Sequence, residues 1–394
     1  MSEQGISVVI PCLNEEGSIG GVVDAAKAGI ASAGEAGEVV VVDNGSTDRS
    51  AEIAREHGAR VVAEEEKGYG SALRRGFAES RYDIMVMGDG DLTYDFTELQ
   101  NLTGPIRSGD ADFVIGNRMR NIKPGAMPWL HRYVGNPLLS MMLRIMFHNH
   151  TVKDAHCGMR AISKDAYKRL RCVTTGMEFA SEMVISAIRN NLRVEERDII
   201  YHPRVGDSKL KSFKDGWRHM RFMMLHSPTT MLLIPGVVMW LVGFAVLLPL
   251  AFGAIKINAR SIDIHTMIAG GFLNVIAVQL LAVGILAKAY AHLSGLRDDP
   301  VVAWLYRHFT FEKAMLVVTP LVLVGLAITF KVVFEWVQSG FGSLDQARPL
   351  FLGLILTING IQMGTAGYLL SIMALPRHID TLPPEARVTG IRDL

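Results

Sequence analysis

At 394 residues the chain is too long for one typical domain, and a formal net charge of +1 removes the broad basic field that nucleic-acid binding requires. Hydrophobic residues make up 49% and mean hydropathy is +0.24, but the excess is uneven: charge is dense up to about Lys214, and apolar runs dominate from about Thr229 to Leu375. This predicts a soluble domain over 1–211, an interfacial helix over 212–228, a membrane domain over 229–376 and a tail over 377–394.

Ile6–Ile10 is a β-branched run that stops at Pro11, as a buried strand does when its next backbone donor is lost. The spacing of Ile19, Val22, Val23, Ala26 and Ile30 is helical, and Gly34 closes that helix. Val39–Val42 is a second buried strand ending at Asp43, where Asn44-Gly45 forms a turn and Ser46 or Thr47 can cap a helix starting near Asp48. A third strand over Arg60–Ala63, a helix over Gly70–Ser80 and a fourth strand over Ile84–Met87 follow. Alternating strands and helices predict an α/β fold with a mainly parallel sheet and ligands at its carboxyl edge.

The fourth strand runs into Asp89 and Asp91, one residue apart, which period two would place on one side. Two hard oxygen donors at a strand's carboxyl end suit Mg²⁺ or Mn²⁺ shared with substrate phosphates; a polar turn is the bland alternative. Neither a Gly-x-Gly-x-x-Gly nor a P-loop is present. Cys12, Cys157 and Cys172 are odd in number and lack metal-ligand spacing, which suits packing roles in a reducing compartment. The polar opening MSEQG lacks a signal pattern, so the first domain is expected on the cytoplasmic side.

VVIPCLNEE, VVDNGSTDRSAEIA, KGYGSALRRGF and GDGDL, in this order within the first hundred residues, resemble the motifs of family 2 glycosyltransferases with the GT-A fold. GNR (Gly116–Arg118), DAHCGMRAIS, GMEFASEM and YHPRVGDSKL narrow the resemblance to dolichol-phosphate mannose and glucose synthases, which move one sugar from a nucleotide sugar to a polyprenyl phosphate. The resemblance implies that Pro11, Asn14 and Glu15 border the nucleotide, Asp43 meets base or ribose, and Asp48 supports the loop. It places Lys67 and Gly68 beside the nucleotide, Asp89 at the sugar or ribose end, and Asp91 on the metal under the diphosphate. For Asp43 and Asp48, helix capping is the competing reading. Thr93 stands where mannose synthases commonly carry a metal-supporting Gln, which weakens the case for a third protein ligand.

On the acceptor side, Arg118 and Arg132 match the family's phosphate-facing positions, with Arg204, Lys209 and Lys211 in a later basic stretch; arginine suits multidentate phosphate contacts. Glu178 and Glu182 are candidates for sugar hydroxyls, with helix-surface solvation as the alternative. Met127–Phe147 is amphipathic, suiting either the membrane interface or core packing, and Phe213–Leu225 mixes aromatic and basic residues as a headgroup-layer helix does.

Four apolar stretches, Thr229–Phe252, Thr266–Ala287, Ala314–Phe334 and Leu350–Leu375, reach or approach a membrane span. An even number returns the C-terminus to the cytoplasm with Arg377, Arg387 and Arg392, a modest positive-inside bias. Asn274, Gln279, Asn359 and Gln362 should face other helices, and GIQMG (Gly360–Gly364) reads as helix packing or, more sharply, homo-oligomer formation. The expectation is an inverting, metal-dependent polyprenyl-phosphate hexosyltransferase at the inner face of a plasma membrane. A processive polysaccharide synthase is the rival enzyme, but the soluble region lacks its Gln-x-x-Arg-Trp motif. A non-catalytic membrane scaffold is the rival outside enzymes.

Overall fold

The computed structural model describes residues 3–149, 151–206, 212–257, 260–293, 299–308, 310–341 and 346–374. The chain splits into two compact units, Met1–His226 and Ser227–Leu394.

In the first unit the chain alternates from β1 (Glu3–Cys12) through α1 (Ile19–Ser32), β2 (Gly37–Asp43), α2 (Ser50–Glu56) and β3 (Arg60–Ala63) to α3 (Tyr69–Glu79) and β4 (Tyr82–Met87). It continues through α4 (Leu99–Arg107), β5 (Phe113–Ile122), α5 (Asn136–Phe147), β6 (Arg160–Ser163), α6 (Lys164–Leu170), α7 (Phe179–Arg189), β7 (Val194–Tyr201) and α8 (Ser212–Leu225). One seven-stranded sheet in the order β3-β2-β1-β4-β6-β5-β7 organises the unit. The first four strands in this order are mutually parallel, and β5 and β7 pair in parallel. Only β6 runs antiparallel to its neighbours β4 and β5, so the fold is mainly parallel α/β, as expected of a GT-A domain.

The central strands are apolar on both faces: Val8, Val9, Ile10, Val40, Val41, Val42, Met85 and Val86 are all fully buried. Each such side chain contributes about 1.5–3 kcal/mol over its exposed state, which is why the runs of β-branched residues locate the middle of the sheet. β1 passes through Pro11 instead of stopping before it. Beyond Val9–Met87 the ladder to β4 has ended, while pairing to β2 goes on to Cys12–Asp43. Pro11 therefore turns its missing donor to the unpaired side.

The helix after β2 starts at Ser50, not at Asp48, because Ser46 and Thr47 are occupied elsewhere. Ser46 Oγ accepts from Asn14 N (3.0 Å), and Thr47 N donates to Asn14 Oδ1 (2.8 Å). Asp48 serves the helix start instead, accepting from Ser50 N (3.0 Å) and Ser50 Oγ (2.5 Å). Cys12, Cys157 and Cys172 are free thiols, the first two buried.

Among the described residues the second unit contains four helices long and apolar enough to cross a membrane, Thr229–Phe252, Ile264–Leu293, Phe311–Gln338 and Ala347–Met373. They correspond to α9 (Ile234–Phe252, entered through a π-helical turn at Thr229–Leu233), α10 (Ile264–Leu293), α12 (Phe311–Gln338) and α13 (Ala347–Met373). A short hairpin, β8 (Ile255–Ile257) and β9 (Arg260–Ile262), and a nine-residue helix, α11 (Pro300–His308), complete the unit; the sequence reading assigned neither. Asn359 Nδ2 donates to Asn274 Oδ1 at 2.6 Å, joining α13 to α10 as expected, whereas Gln279 is exposed. A methyl group on Gly360 would lie 2.5 Å from Val322 Cγ2, so this end of GIQMG packs on α12 of the same chain.

Candidate active site

Beyond the carboxyl ends of β1, β2 and β4 lies a pocket of about 280 Å³. Pro11, Glu15, Asn44, Lys67, Gly68, Tyr69, Asp89, Asp91, Met177 and Arg204 are among its lining residues. Six sequence candidates other than Arg204 thus meet in one cavity. Asn14, Asp43 and Asp48 instead build the loop beside it. Asn14 takes a left-handed turn (φ 51°), Asp43 Oδ1 accepts from Ser46 N (3.0 Å), and Asp48 Oδ2 accepts from Glu16 N (3.2 Å).

Asn44, read from the sequence only as a turn residue, ties this side together. Its Nδ2 donates to Glu64 O (3.0 Å) and Glu66 O (2.8 Å), and its Oδ1 accepts from Gly68 N (2.7 Å). Lys67 Nζ donates to Asn44 O (2.8 Å). Gly68 has φ 147°, and a Cβ there would sit 2.1 Å from Thr175 O, so this position admits glycine alone. Gly70 N donates to the same Thr175 carbonyl (2.8 Å). Glu182 holds that segment from behind, accepting from Val173 N (3.0 Å), Thr174 N (2.9 Å) and Thr174 Oγ1 (2.6 Å). With three protein donors and 7% exposure this carboxylate braces the segment, where the sequence reading offered a sugar contact or helix-surface solvation. Glu178 keeps a buried Oε2 with no hydrogen-bond partner among the described residues.

The acidic pair follows β4 through a loop, not a pleated strand end. Leu92 adopts φ 62°, rare for a bulky residue, between Asp91 and Thr93. Tyr69, missed in the sequence reading, donates its hydroxyl to Asp89 Oδ1 at 3.0 Å. Burial, followed by the adjacent Asp91 charge, pushes the Asp89 carboxyl up to about 6. Asp91 is only 2% exposed. Its Oδ1 accepts from Thr93 N (3.1 Å) and Thr93 Oγ1 (2.5 Å), and its Oδ2 from Arg204 Nε (2.6 Å) and Arg204 Nη2. Among the described residues no group of three or more His, Cys, Asp or Glu side chains could enclose a metal. Two neighbouring carboxylates, one with its pKa raised by burial and by the charge of the other, fit a cation that completes its shell with water and substrate phosphates, such as Mg²⁺ or Mn²⁺.

Arg118 is 7% exposed, and its Nε and Nη2 each donate at 2.8 Å to Asp154, a residue with no exposed surface. Tyr201 lies under the guanidinium, 5.3 Å from its ring centroid, and Nη1 approaches Tyr94 Oη at 3.4 Å. Asp154 takes one edge of the fork, and a guanidinium has five donors, so the Nη1–Nη2 edge retains donors for an anion. Arg132 lies in the π-helical turn His131–Gly135 ahead of α5, half-buried, with no ion pair among the described residues. Arg204, expected with the acceptor cations, sits on Asp91 in the pocket. Lys209 and Lys211 lie outside the described residues, as do Arg377, Arg387 and Arg392.

A family model described as glycosyl transferase family 2 matches residues 7–171, and one for the C-terminal transmembrane region of family 2 glycosyltransferases matches residues 285–374. Over 366 residues the chain is 41% identical to the low-salt glycan biosynthesis hexosyltransferase Agl6 of Haloferax volcanii, covering 93% of this chain and 88% of that protein. The chain belongs to glycosyltransferase family 2. It is a glycosyltransferase and, with its four apolar helices and matching transmembrane region, a membrane protein. It is also 34% identical over 213 residues to a dolichyl-phosphate hexose transferase of the same organism, covering 54% of this chain and 89% of that protein. Glucosyl-3-phosphoglycerate synthase of Mycobacterium tuberculosis, solved with Mn²⁺, uridine diphosphate and glucosyl-3-phosphoglycerate, aligns with a TM-score of 0.47 at 24% identity, covering 57% of this chain and 80% of that one.

Proposed function

We propose that this glycosyltransferase moves one hexose from a nucleoside-diphosphate sugar to a polyprenyl phosphate, with inversion at the anomeric carbon. The observation that carries this reading is the paired Asp89 and Asp91 in a pocket also lined by Lys67 and Arg204, a setting for a diphosphate and its cation. The names of the relatives support hexose as the sugar and dolichyl phosphate as the class of acceptor. An exposed apolar stripe supports a lipid acceptor: Leu130, Val134, Leu138, Met141 and Ile145 follow helical spacing and are each at least 42% exposed. With Trp129 and Tyr133 beside them and Arg132 and Arg144 among them, these residues form an amphipathic surface suited to a bilayer interface.

In this reading the loops around Asn14, Asn44 and Gly68 hold the nucleotide, and Asp89 orients the sugar or ribose end. A divalent cation held by Asp91 and Asp89 would neutralise charge on the leaving diphosphate. The free edge of Arg118 and the guanidinium of Arg132 hold the lipid phosphate in line with the anomeric carbon. One phosphate oxygen forms the new bond to that carbon as its bond to the diphosphate breaks. A phosphate monoester is already largely ionised at neutral pH, so no protein base has to remove a proton. The catalytic unit faces the cytoplasm, at the plasma membrane, where nucleotide sugars are available.

The test is to incubate detergent-purified full-length protein with Mn²⁺, polyprenyl phosphate and, in turn, uridine- and guanosine-diphosphate hexoses, and to analyse the lipid by mass spectrometry. A lipid-linked monosaccharide lost in Asp91→Asn supports the reading. A polymer, or sugar transfer independent of polyprenyl phosphate, refutes it.

A further inference from the structure

Asp91 is already neutralised by a cation from its own chain. Arg204 donates to Asp91 Oδ2 through Nε at 2.6 Å and through Nη2, while Thr93 saturates Oδ1. The segment carrying Arg204 is held in place: Val205 N donates to Asp91 O (3.1 Å) and His202 N to Thr93 O (2.9 Å). Yet Arg204 Nη1 is buried and has no hydrogen-bond partner among the described residues, and Arg204 lines the pocket. A buried guanidinium nitrogen left unpaired is costly, and an anion in the pocket would remove that cost.

We infer that Arg204 is an internal placeholder for the divalent cation, which makes metal binding at Asp91 depend on arrival of the donor diphosphate. A metal ion alone would have to share Oδ2 with a guanidinium a few ångströms away. Even with screening as strong as bulk water, a divalent charge about 5 Å from a fixed positive charge binds about tenfold more weakly. A diphosphate supplies the missing negative charge and a better partner for a planar donor fork. Arg204 then turns its donors to phosphate oxygens and releases Oδ2. The site thus takes up the cation with the nucleotide and holds little of it otherwise. This inference rests on the assignment of Asp91 as a metal ligand.

The experiment is Mn²⁺ titration of full-length protein in detergent, followed by electron paramagnetic resonance, with and without uridine or guanosine diphosphate. Wild type is expected to bind Mn²⁺ weakly alone and much more tightly with whichever nucleotide it accepts. Arg204→Gln is expected to bind Mn²⁺ alone about tenfold more tightly than wild type, with a smaller gain from nucleotide. Arg204→Lys retains the charge and is expected to keep the weak binding. Arg204→Gln/Asp91→Asn should lose the tight site, and matching thermal melts would confirm that the variants are folded. Unchanged or weaker Mn²⁺ binding by Arg204→Gln, with Asp91→Asn still abolishing the nucleotide-dependent site, overturns the placeholder and leaves the metal assignment standing. Mn²⁺ binding indifferent to Asp91→Asn in every background overturns both.

Discussion

Removing Asp154 should destabilise the catalytic unit severely, because it would strand the Arg118 charge. Asp154 has no exposed surface, Arg118 is 7% exposed, and three hydrogen bonds join them: Nε and Nη2 at 2.8 Å and the Arg118 backbone N at 3.1 Å. Deleting one member of a buried ion pair costs about 3–5 kcal/mol, since the survivor stays buried without its counter-charge. For a unit spanning 226 residues each kcal/mol lowers Tm by about 2–4 °C, so Asp154→Ala should melt about 6–20 °C below wild type. The assay is thermal unfolding of the detergent-purified protein by near-ultraviolet circular dichroism. Arg118→Met should fall on the same scale, and Arg118→Met/Asp154→Leu by less than the sum, because the double variant leaves no stranded charge. An Asp154→Ala variant melting within about 2 °C of wild type would show that the pair does not anchor Arg118, and with it would go the argument that one guanidinium edge is pre-set for the acceptor.

Burial of Asp89 predicts a pH dependence of definite sign. Its carboxyl is pushed up to about 6, so the metal-free folded protein holds that proton more tightly than the unfolded chain. The associated stability is full below the unfolded value of about 4 and is lost as pH rises through about 6. Asp89→Asn should therefore melt above wild type at pH 7.5 in chelator yet be inactive; a Tm difference independent of pH between 4 and 8 would refute the shift. Arg132→Ala should raise the apparent KM for polyprenyl phosphate at least about tenfold with donor affinity by calorimetry unchanged, and equal weakening of both would move Arg132 to the donor side. Gly68→Ala forces a side chain into Thr175 O, so nucleotide affinity and Tm should fall together, and a wild-type calorimetric titration would count against the loop's role.

Much of the sheet was readable because its first four strands carry their own signal. Val39–Val42 and Ile84–Met87 are unbroken apolar runs, and Ile6–Ile10 is interrupted by Ser7 alone; a strand buried on both faces needs such a run. β5, β6 and β7 give no such run. β5 carries Arg118, Met119, Arg120 and Asn121 in its second half, β6 is four residues long and includes the fully buried Arg160, and β7 begins with Val194 followed by two glutamates. Their pairing supplies the order, with β6 inserted antiparallel between β4 and β5. The carboxylate pair and the Gly68 loop were likewise local motifs. Their partners were not: Tyr69 lies 20 residues from Asp89, Asp154 lies 36 from Arg118, and Arg204 lies 113 from Asp91. Such contacts arise from topology, and no window along the chain contains both members.

Thr93 shows where motif reading and geometry separate. By its resemblance to mannose synthases alone, Thr93 reads as the place of a lost metal-supporting Gln. In the structure its hydroxyl and amide both donate to Asp91 Oδ1, and the residue is 1% exposed. With Leu92 held at φ 62° just before it, this turn fixes the carboxylate from behind and leaves Oδ2 as the oxygen that meets the pocket's cations. A short hydroxyl aims Asp91 without competing for the pocket, whereas a Gln side chain would extend the donor set by one amide oxygen. If Asp91 is the metal ligand proposed above, metal-binding strength at this site is set less by the number of protein ligands than by the contest between Arg204 and the incoming cation for a single carboxylate oxygen.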